Sequence, residues 1–440
     1  MQTIRELSRL IHCGDVSPSE VAKEMLDQIQ KKNAGEHIFI TVSEEVAMAQ
    51  AKQADYDLKR GIDLGPLQGI PYTLKDLFKT AGIRTTGGSQ VLADYIPDKD
   101  AELVQTLNMC GSVLLGKVNQ YEFAHGATSL NPHYGDVCNP YDSTRVAGGS
   151  SSGSAAAVAK DYGLFSLGTD TGGSVRVPAA LCGLAGLKPT YGLLSTKGII
   201  PYCWSLDHAG VIAHTAEDVK IVMDALLKKP YNSNNSKNLK GIKIGIPDTF
   251  FYEDLDPEIE KTMADVQKNF ELLGAELRRV SLPDLAASRT ASLIIQLPEL
   301  LSCHEKNLAE KGHLYSDELK AGMAAGQFIL AEQYLTAKRT ARFYAEEVGK
   351  VFQKVDLILT PSTPCIAPKL DQKTVRIGSS DLSAGNAVTR FFSLFNMTGM
   401  PAMTVPAGFH STGLPIGFQL IGAVNQDDVV MNAAISYENR

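Results

Sequence analysis

The sequence predicts an α/β fold with a mixed β-sheet core covered by helices on both faces. Three observations lead there. First, apolar runs of strand length, GIPYTL at 69–74, SVLLGKV at 112–118, GIKIGIP at 241–247 and DLILTPSTP at 356–364, alternate with longer segments of helical spacing. Second, PAMTVPAGF and LPIGFQLIG, joined by HSTG, read as a hairpin, which adds antiparallel pairing to the sheet. Third, Asn139 to Gly210 is dominated by Gly, Ser, Thr and Ala, yet it carries AAAVA, LFSLG, VPAALCGLAGL and YGLLS. A flexible linker would lack such apolar residues, so small side chains here permit close backbone approach in a packed centre.

Taken in order, about the first 60 residues read as helical, with Ile4, Leu7, Leu10 and Ile11 at helical spacing. Ser19 is placed to cap a second helix whose apolar stripe is Val21, Met25, Leu26 and Ile29. The two buried strands at 69–74 and 112–118 follow, then the small-residue centre. KKPYNSNNSKNLK at 228–240 reads as a surface loop. Beyond it come the strand GIKIGIP, a helix over Asp256 to Leu273, the strand AELRRVSL and a helical stretch over 316–353 with Glu and Lys or Arg interleaved. There is no internal repeat and no heptad array.

Composition narrows the function. The chain has 440 residues, with 42 Lys plus Arg against 49 Asp plus Glu, a formal net charge of -7. An acidic chain has no global attraction to phosphate, so direct nucleic-acid binding is not expected. No apolar run reaches the roughly 18 residues of a membrane span, and MQTIRELSRLIHCG, with Arg5, Glu6 and Arg9, does not read as a signal peptide. Seven scattered cysteines form no C-x-x-C, and no Cys, Asp or Glu cluster joins His208 and His214. These features predict a reduced, cytoplasmic protein with no metal site and no membrane partner.

Two familiar motifs fail on context. Gly111, Gly116 and Lys117 have phosphate-loop spacing, but Val118 stands where Ser or Thr must ligand Mg²⁺, and the leading glycine precedes the strand. Gly149 to Gly153 matches the G-x-S-x-G elbow, but STRVAG before it is a poor strand.

The chemistry lies in two Ser/Gly clusters 24 residues apart, Gly148-Gly149-Ser150-Ser151-Ser152-Gly153-Ser154 and Thr169-Asp170-Thr171-Gly172-Gly173-Ser174. With GIPYTLKD around Lys75, LLGKVNQYEFAHG at 114–126, GLKPTYG at 186–192, SLDHAG at 205–210 and GLPIGFQLIG at 413–422, they resemble the amidase signature family. The resemblance implies one large amidase-signature domain over 1–440, with a helical segment at about 1–60, a signature core at about 65–215 and the surface loop at about 228–240. It also implies a Ser–cis-Ser–Lys triad: Ser174 as nucleophile, Ser150 as bridging serine after a cis peptide from Gly149, and Lys75 as base, with no cofactor. The chemistry agrees. A serine hydroxyl needs a base to become nucleophilic, and neither cluster offers a histidine. Lysine can serve only when neutral, which requires burial, and Lys75 follows an apolar strand. Ser150 can relay because a hydroxyl both donates and accepts. As in the family, Thr171, Gly172, Gly173 and Ser174 resemble a nest of backbone donors for an oxyanion. Asp170 and Arg176 are expected to hold that loop, and Ser151 and Ser152 to support the cis-serine turn.

Within the family, EFAHG and NPHYG look most like the branch holding the glutaminase subunit of tRNA-dependent amidotransferases and its small-amide relatives. Arg339 and Arg342 fall close to that subunit's carboxylate-binding position, and Thr389 with Arg390 falls where an acidic residue would bind the glutamine amine. An arginine facing the pocket there would repel an ammonium. The reading favoured by the sequence is therefore a stand-alone hydrolase of a small carboxamide through a Ser174 acyl-enzyme; the alternative is the glutaminase subunit. Candidate pocket residues are Tyr121, Phe123, His125, Trp204 and Arg390. The expected partner is a small-molecule amide, and a homodimer is left open.

Overall fold

The computed structural model describes residues 2–229 and 238–440. Most of the loop expected at 228–240 lies outside the described residues. Eleven strands form one sheet: β1 Phe39–Val42, β2 Pro71–Lys75, β3 Val113–Val118, β4 Phe165–Asp170, β5 Ala185–Lys188, β6 His208–Ala213, β7 Lys243–Pro247, β8 Glu276–Val280, β9 Leu357–Pro361, β10 Ala402–Phe409 and β11 Pro415–Gly422. Their spatial order is β1-β3-β2-β4-β6-β5-β10-β11-β9-β7-β8. β2 runs parallel to β3 and β4, and β7 parallel to β8 and β9. The other pairings are antiparallel, including the β10–β11 hairpin. The sheet is mixed, as expected.

Strand alternation divides the core into two layers. Tyr72 and Leu74 of β2 and Phe165 and Leu167 of β4 face one side, where they meet the helices Ile4–His12, Ala216–Leu226, Pro257–Leu272 and Asp427–Glu438. On the opposite face Val113, Leu115 and Ile212 pack against Pro18–Glu36, Glu44–Lys59 and Ser152–Ala159. Further along that side, Ile358, Ala402 and Ile421 lie under Ser288–Lys311, Asp317–Gln327 and Ala331–Val351. Thr73 and Lys75 belong to the alternate register of β2, so an otherwise apolar strand delivers a lysine away from its aromatic face.

Several local expectations are corrected. The N-terminal segment is not helical throughout: Phe39–Val42 adds an edge strand antiparallel to β3. Ser17, not Ser19, caps the second helix, because Ser17 and Glu20 close a reciprocal capping box with Pro18 in the first turn. Ser19 Oγ donates instead to Asp55. The stretch 316–353 is two helices, separated at Phe328–Leu330. The 24-residue helix Ser288–Lys311 has no counterpart in the sequence reading, and it runs through Pro298, a residue type that ordinarily breaks a helix. It survives because Ile295 and Leu300, on either side of the proline, are fully buried. Lys117, in the failed phosphate loop, is a buried strand residue 3.3 Å from Asp76.

Candidate active site

Ligand sites in open α/β sheets form beyond the carboxyl ends of parallel strands. Here β2 ends in Lys75 and the parallel strand β4 ends in Asp170, so the segments that follow them meet. Lys75 is fully buried. Its Nζ is hydrogen-bonded to Ser150 Oγ at 2.7 Å and to Thr169 Oγ1 at 2.8 Å. Burial lowers its pKa to about 7, although Asp207 and Asp170 oppose the shift. Against an ordinary value of 10.5, that favours the neutral amine by roughly 5 kcal/mol, at 1.36 kcal/mol per pKa unit. A neutral amine here can accept a proton at ordinary pH.

The Gly149–Ser150 peptide is cis. The glycines of this cluster are required by contact: a Cβ on Gly149 would sit 1.8 Å from Thr128 O, and one on Gly153 2.5 Å from Asn119 O. Neither backbone oxygen can swing aside as a side chain could. Ser151 N donates to Ser174 O at 3.2 Å and Ser151 Oγ to Thr169 O at 3.3 Å, tying the two clusters together. Ser152 is buried, and its hydroxyl has no partner among the described residues.

Ser174 borders a cavity of about 470 Å³ together with Thr171 and Gly172. Among the described residues its Oγ accepts and donates no hydrogen bond, whereas Ser150 Oγ is engaged by Lys75. Gly173 departs from the expected nest. Its N–H donates to Asp170 Oδ1 at 2.9 Å, and among the described residues the amides of Thr171, Gly172 and Ser174 have no protein acceptor. Asp170 also accepts from Val175 N, Arg176 N, Arg176 Nε, Arg176 Nη2 and Asn396 Nδ2. Burial alone would raise its pKa, but Arg176 and Asn396 outweigh it and hold the carboxyl below the ordinary carboxylate range. Arg176, fully buried, further reaches Gln419 and Asn396 and lies over the Phe392 ring at 5.0 Å. The loop bearing Ser174 is thus clamped to the second half of the chain.

The substrate-pocket residues divide. Tyr121 and His125 line the cavity. The Tyr121 hydroxyl donates to Glu318, and His125 Nδ1 lies 3.1 Å from Tyr202 OH. Burial, with Arg289 nearby, lowers the His125 pKa to about 4. Phe123 is a buried core ring against His304 and Tyr315. Trp204 is half exposed beside a separate small cavity of about 40 Å³. Arg390 does not line the main cavity: its guanidinium lies over Phe250 and Phe391, 3.8 Å from Asp254. Its neighbour Thr389 does line it. Arg339 and Arg342 are exposed on Ala331–Val351, with Arg342 paired to Glu346.

The sequence reading missed Thr169, Asp207, Arg289, Gln296 and Glu318. Thr169 and Asp207 stand in quoted motifs and could have been found there. Asp207 accepts from Thr171 Oγ1 at 2.5 Å and from the amides of Tyr202 and Cys203. Arg289, Gln296 and Glu318 line the cavity from helices whose sequences look like ordinary solvated or core faces. Among the described residues no group of three His, Cys, Asp or Glu side chains is arranged to hold a metal ion, and no helix is long and apolar enough to cross a membrane.

A single mixed-sheet domain with two serine clusters closing on a buried lysine defines an amidase-type fold. The chain belongs to the Amidase family, whose match covers residues 20–431, and it is an enzyme acting on C–N amide bonds. The A subunit of the glutamyl-tRNA(Gln) amidotransferase of Thioalkalivibrio sulfidiphilus is 36% identical, over 100% of this chain and 97% of the relative. Its counterpart in Methylobacillus flagellatus is 35% identical, over 99% and 96%. Among solved structures, one reported as an amidase superposes with a TM-score of 0.93 at 32% identity, covering 100% of both chains. A structure reported in work on the origins of an s-triazine catabolic enzyme superposes equally well, at 32% identity over 100% of this chain and 98% of that one. The peptide amidase of Stenotrophomonas maltophilia gives 0.85 at 27% identity, over 100% and 96%.

Proposed function

We propose that this chain hydrolyses a carboxamide through an acyl-enzyme on Ser174, with Ser150 and Lys75 carrying the proton. The observation that carries the reading is the buried Lys75 Nζ, 2.7 Å from Ser150 Oγ, with its pKa brought down to about 7. In the first half-reaction Ser174 gives its proton to Ser150, which passes its own to neutral Lys75, while Ser174 Oγ bonds to the carbonyl carbon. The amides of Thr171, Gly172 and Ser174 would stabilise the oxyanion. The C–N bond then breaks as the proton returns to the departing nitrogen. Water cleaves the acyl ester by the same relay. Ser151, Asp170 and Arg176 act by fixing the two loops.

For the amide donor, the amidotransferase subunits among the relatives favour the glutaminase reading, in which ammonia passes to a partner chain. Two further points support it. Arg390 stands away from the cavity, which removes the repulsion expected from the sequence, and the carboxylates of Glu318 and Asp371 line that cavity. The stand-alone reading keeps one observation in its favour: Thr389 lines the cavity where the acidic contact of the glutaminase was expected. Ammonia release across a panel of amides including glutamine separates the two, measured with the chain alone and with candidate partner subunits. A glutamine preference that appears only with partners selects the glutaminase; turnover of simple amides by the chain alone, with glutamine poor under both conditions, selects the hydrolase.

A further inference from the structure

The cavity in front of Ser174 contains a positive charge that the acyl-enzyme chemistry does not use. Arg289 lies in the first turn of Ser288–Lys311 and lines the cavity beside Gly172 and Gln296. A Cβ on Gly172 would stand 3.7 Å from Arg289 Nη1 and 3.7 Å from Gln296 Nε2, so the guanidinium borders the loop that leads to the nucleophile. Its own partners are neutral. Nη1 donates to Ser393 Oγ at 3.1 Å and Nη2 to Asn386 Oδ1 at 3.3 Å, while Nε is buried with no acceptor. Of the five N–H donors a guanidinium carries, three are left over.

Among the described residues no carboxylate lies within ion-pair distance of Arg289, unlike Arg176, which is matched by Asp170. Arg289 is only partly buried, but its Nε is shut off from solvent without an acceptor, and arginine cannot escape by losing its proton. Burial pushes its pKa down, and Tyr202 opposes the shift. The other cations lining the cavity, Lys369 and Lys373, are exposed, as are the acids Glu318 and Asp371. Glu318 is already engaged by the Tyr121 hydroxyl.

We propose that Arg289 binds a carboxylate on the acyl donor, so that the site selects monoamides of short dicarboxylic acids over neutral amides. The planar fork of arginine suits a carboxylate, and a charge-assisted hydrogen bond discriminates strongly against a ligand that lacks the charge. The proximity of the guanidinium to Gly172 limits the spacer between carboxylate and scissile carbonyl to a few bonds. This inference rests on the amidase reading and names the substrate class of that same site. It is shared by the glutaminase and stand-alone readings, since glutamine also carries a carboxylate.

The test compares succinamate with its neutral counterpart butyramide at neutral pH. The wild-type chain, with candidate partner subunits where they are needed for turnover, is expected to prefer succinamate in kcat/KM, mainly through KM. Arg289→Gln should cut that preference by about 10–100-fold, the scale of a lost hydrogen bond to a charged group. Arg289→Lys, which keeps the charge but not the fork, should restore part of it. An equal fall for both amides would mean that Arg289 is structural and would overturn the proposal. A second measurement needs no variant: succinamate should slow labelling of wild-type Ser174 by a fluorophosphonate at lower concentration than butyramide does. Equal protection by the two overturns the carboxylate site while leaving the amidase reading intact. Absence of both labelling and ammonia release from every amide overturns the amidase reading and this inference with it.

Discussion

The two walls of the cavity are built on different principles. The wall that carries Ser174 grows from the ends of β2 and β4, and Lys75, Ser150, Ser151, Asp170 and Arg176 are all fully buried in it. The polar groups of these five side chains are matched to one another, to neighbouring side chains and to backbone, and two glycines of this wall are fixed by backbone contact under 3 Å. The facing wall comes from Ser288–Lys311, Glu318 and the segments 369–373 and 383–389. There Lys369, Asp371, Gln372, Lys373 and Asn386 are exposed. A buried polar network tolerates little change, because each removed partner strands another group at about 1–3 kcal/mol. Exposed side chains exchange at little cost. On the proposed mechanism the first wall would fix the reaction, and the second would be free to vary with the substrate.

The largest effect should come from the first wall. Ser174→Ala is expected to lower turnover by at least about 10⁴-fold, the scale of losing a nucleophile that acts as part of a unit, and to abolish labelling by a fluorophosphonate. The variant should unfold at the wild-type denaturant concentration, since it removes one hydroxyl at the cavity edge. Intact-mass detection of a labelled Ser174→Ala chain would move the nucleophile elsewhere.

Lys75→Met should cost roughly 10²–10⁴-fold in acylation rate, the range for a general base. The pH profile carries the sharper information. Only the neutral amine accepts a proton, and the neutral fraction rises as pH passes upward through the lysine's pKa of about 7. Wild-type acylation should therefore climb about tenfold per unit below that value and level off above it. Single-turnover acylation of Lys75→Met should show no such rise. An unchanged profile in the variant would assign the titration to another group.

The same division governs what could be read from the sequence. The first wall was legible because its chemistry is local: TDTGGS and GGSSSGS each carry glycines and serines within seven residues, and the first adds a charge. The buried-strand pattern before Lys75 also predicted its burial. The fold class followed from strand and helix periodicity, but Phe39–Val42 is too short to show a period, and Pro298 disguised the helix that delivers Arg289 and Gln296. The second wall was illegible because its residues are roughly 100 to 200 positions from Ser174 and sit in ordinary helical contexts. Only tertiary packing reveals that Arg289, not Arg339, Arg342 or Arg390, reaches the cavity. The Gly173 amide, which donates to Asp170, was illegible for a related reason: sequence shows that a glycine is present but not where its amide points.

Stability gives an independent comparison of the walls. Arg176→Met leaves Asp170 buried beside Asn396 without its cation, and breaking such a pair typically costs about 3–5 kcal/mol. Lys369→Ala on the facing wall should change stability by under about 0.5 kcal/mol, as for an ordinary surface site. Urea midpoints measured in parallel test the contrast. Equal shifts would mean that the second wall is as tightly specified as the first.

The smallest expected effect on turnover concerns Arg390, which marks how far the second wall extends. It neighbours Thr389 in sequence, and Thr389 lines the cavity, so sequence proximity alone would place it in the site. Its guanidinium instead lies 5.2 Å from the Phe250 ring centre and 5.5 Å from that of Phe391, with Asp254 3.8 Å away. Contacts of this kind at a partly exposed position contribute about 0.5–1 kcal/mol. Arg390→Ala should accordingly lower stability by about that amount and leave kcat/KM for every amide in the panel within about twofold, under 0.5 kcal/mol at 1.4 kcal/mol per tenfold. The contrast with Arg289, which donates to Asn386 and Ser393 on either side of Arg390 in sequence, is then direct: one arginine is expected to alter selectivity and the other only stability. A change of tenfold or more in the ratio of glutamine to neutral-amide turnover in Arg390→Ala would show that the charge field of the second wall reaches past the cavity lining, and the boundary between the two walls would have to be redrawn.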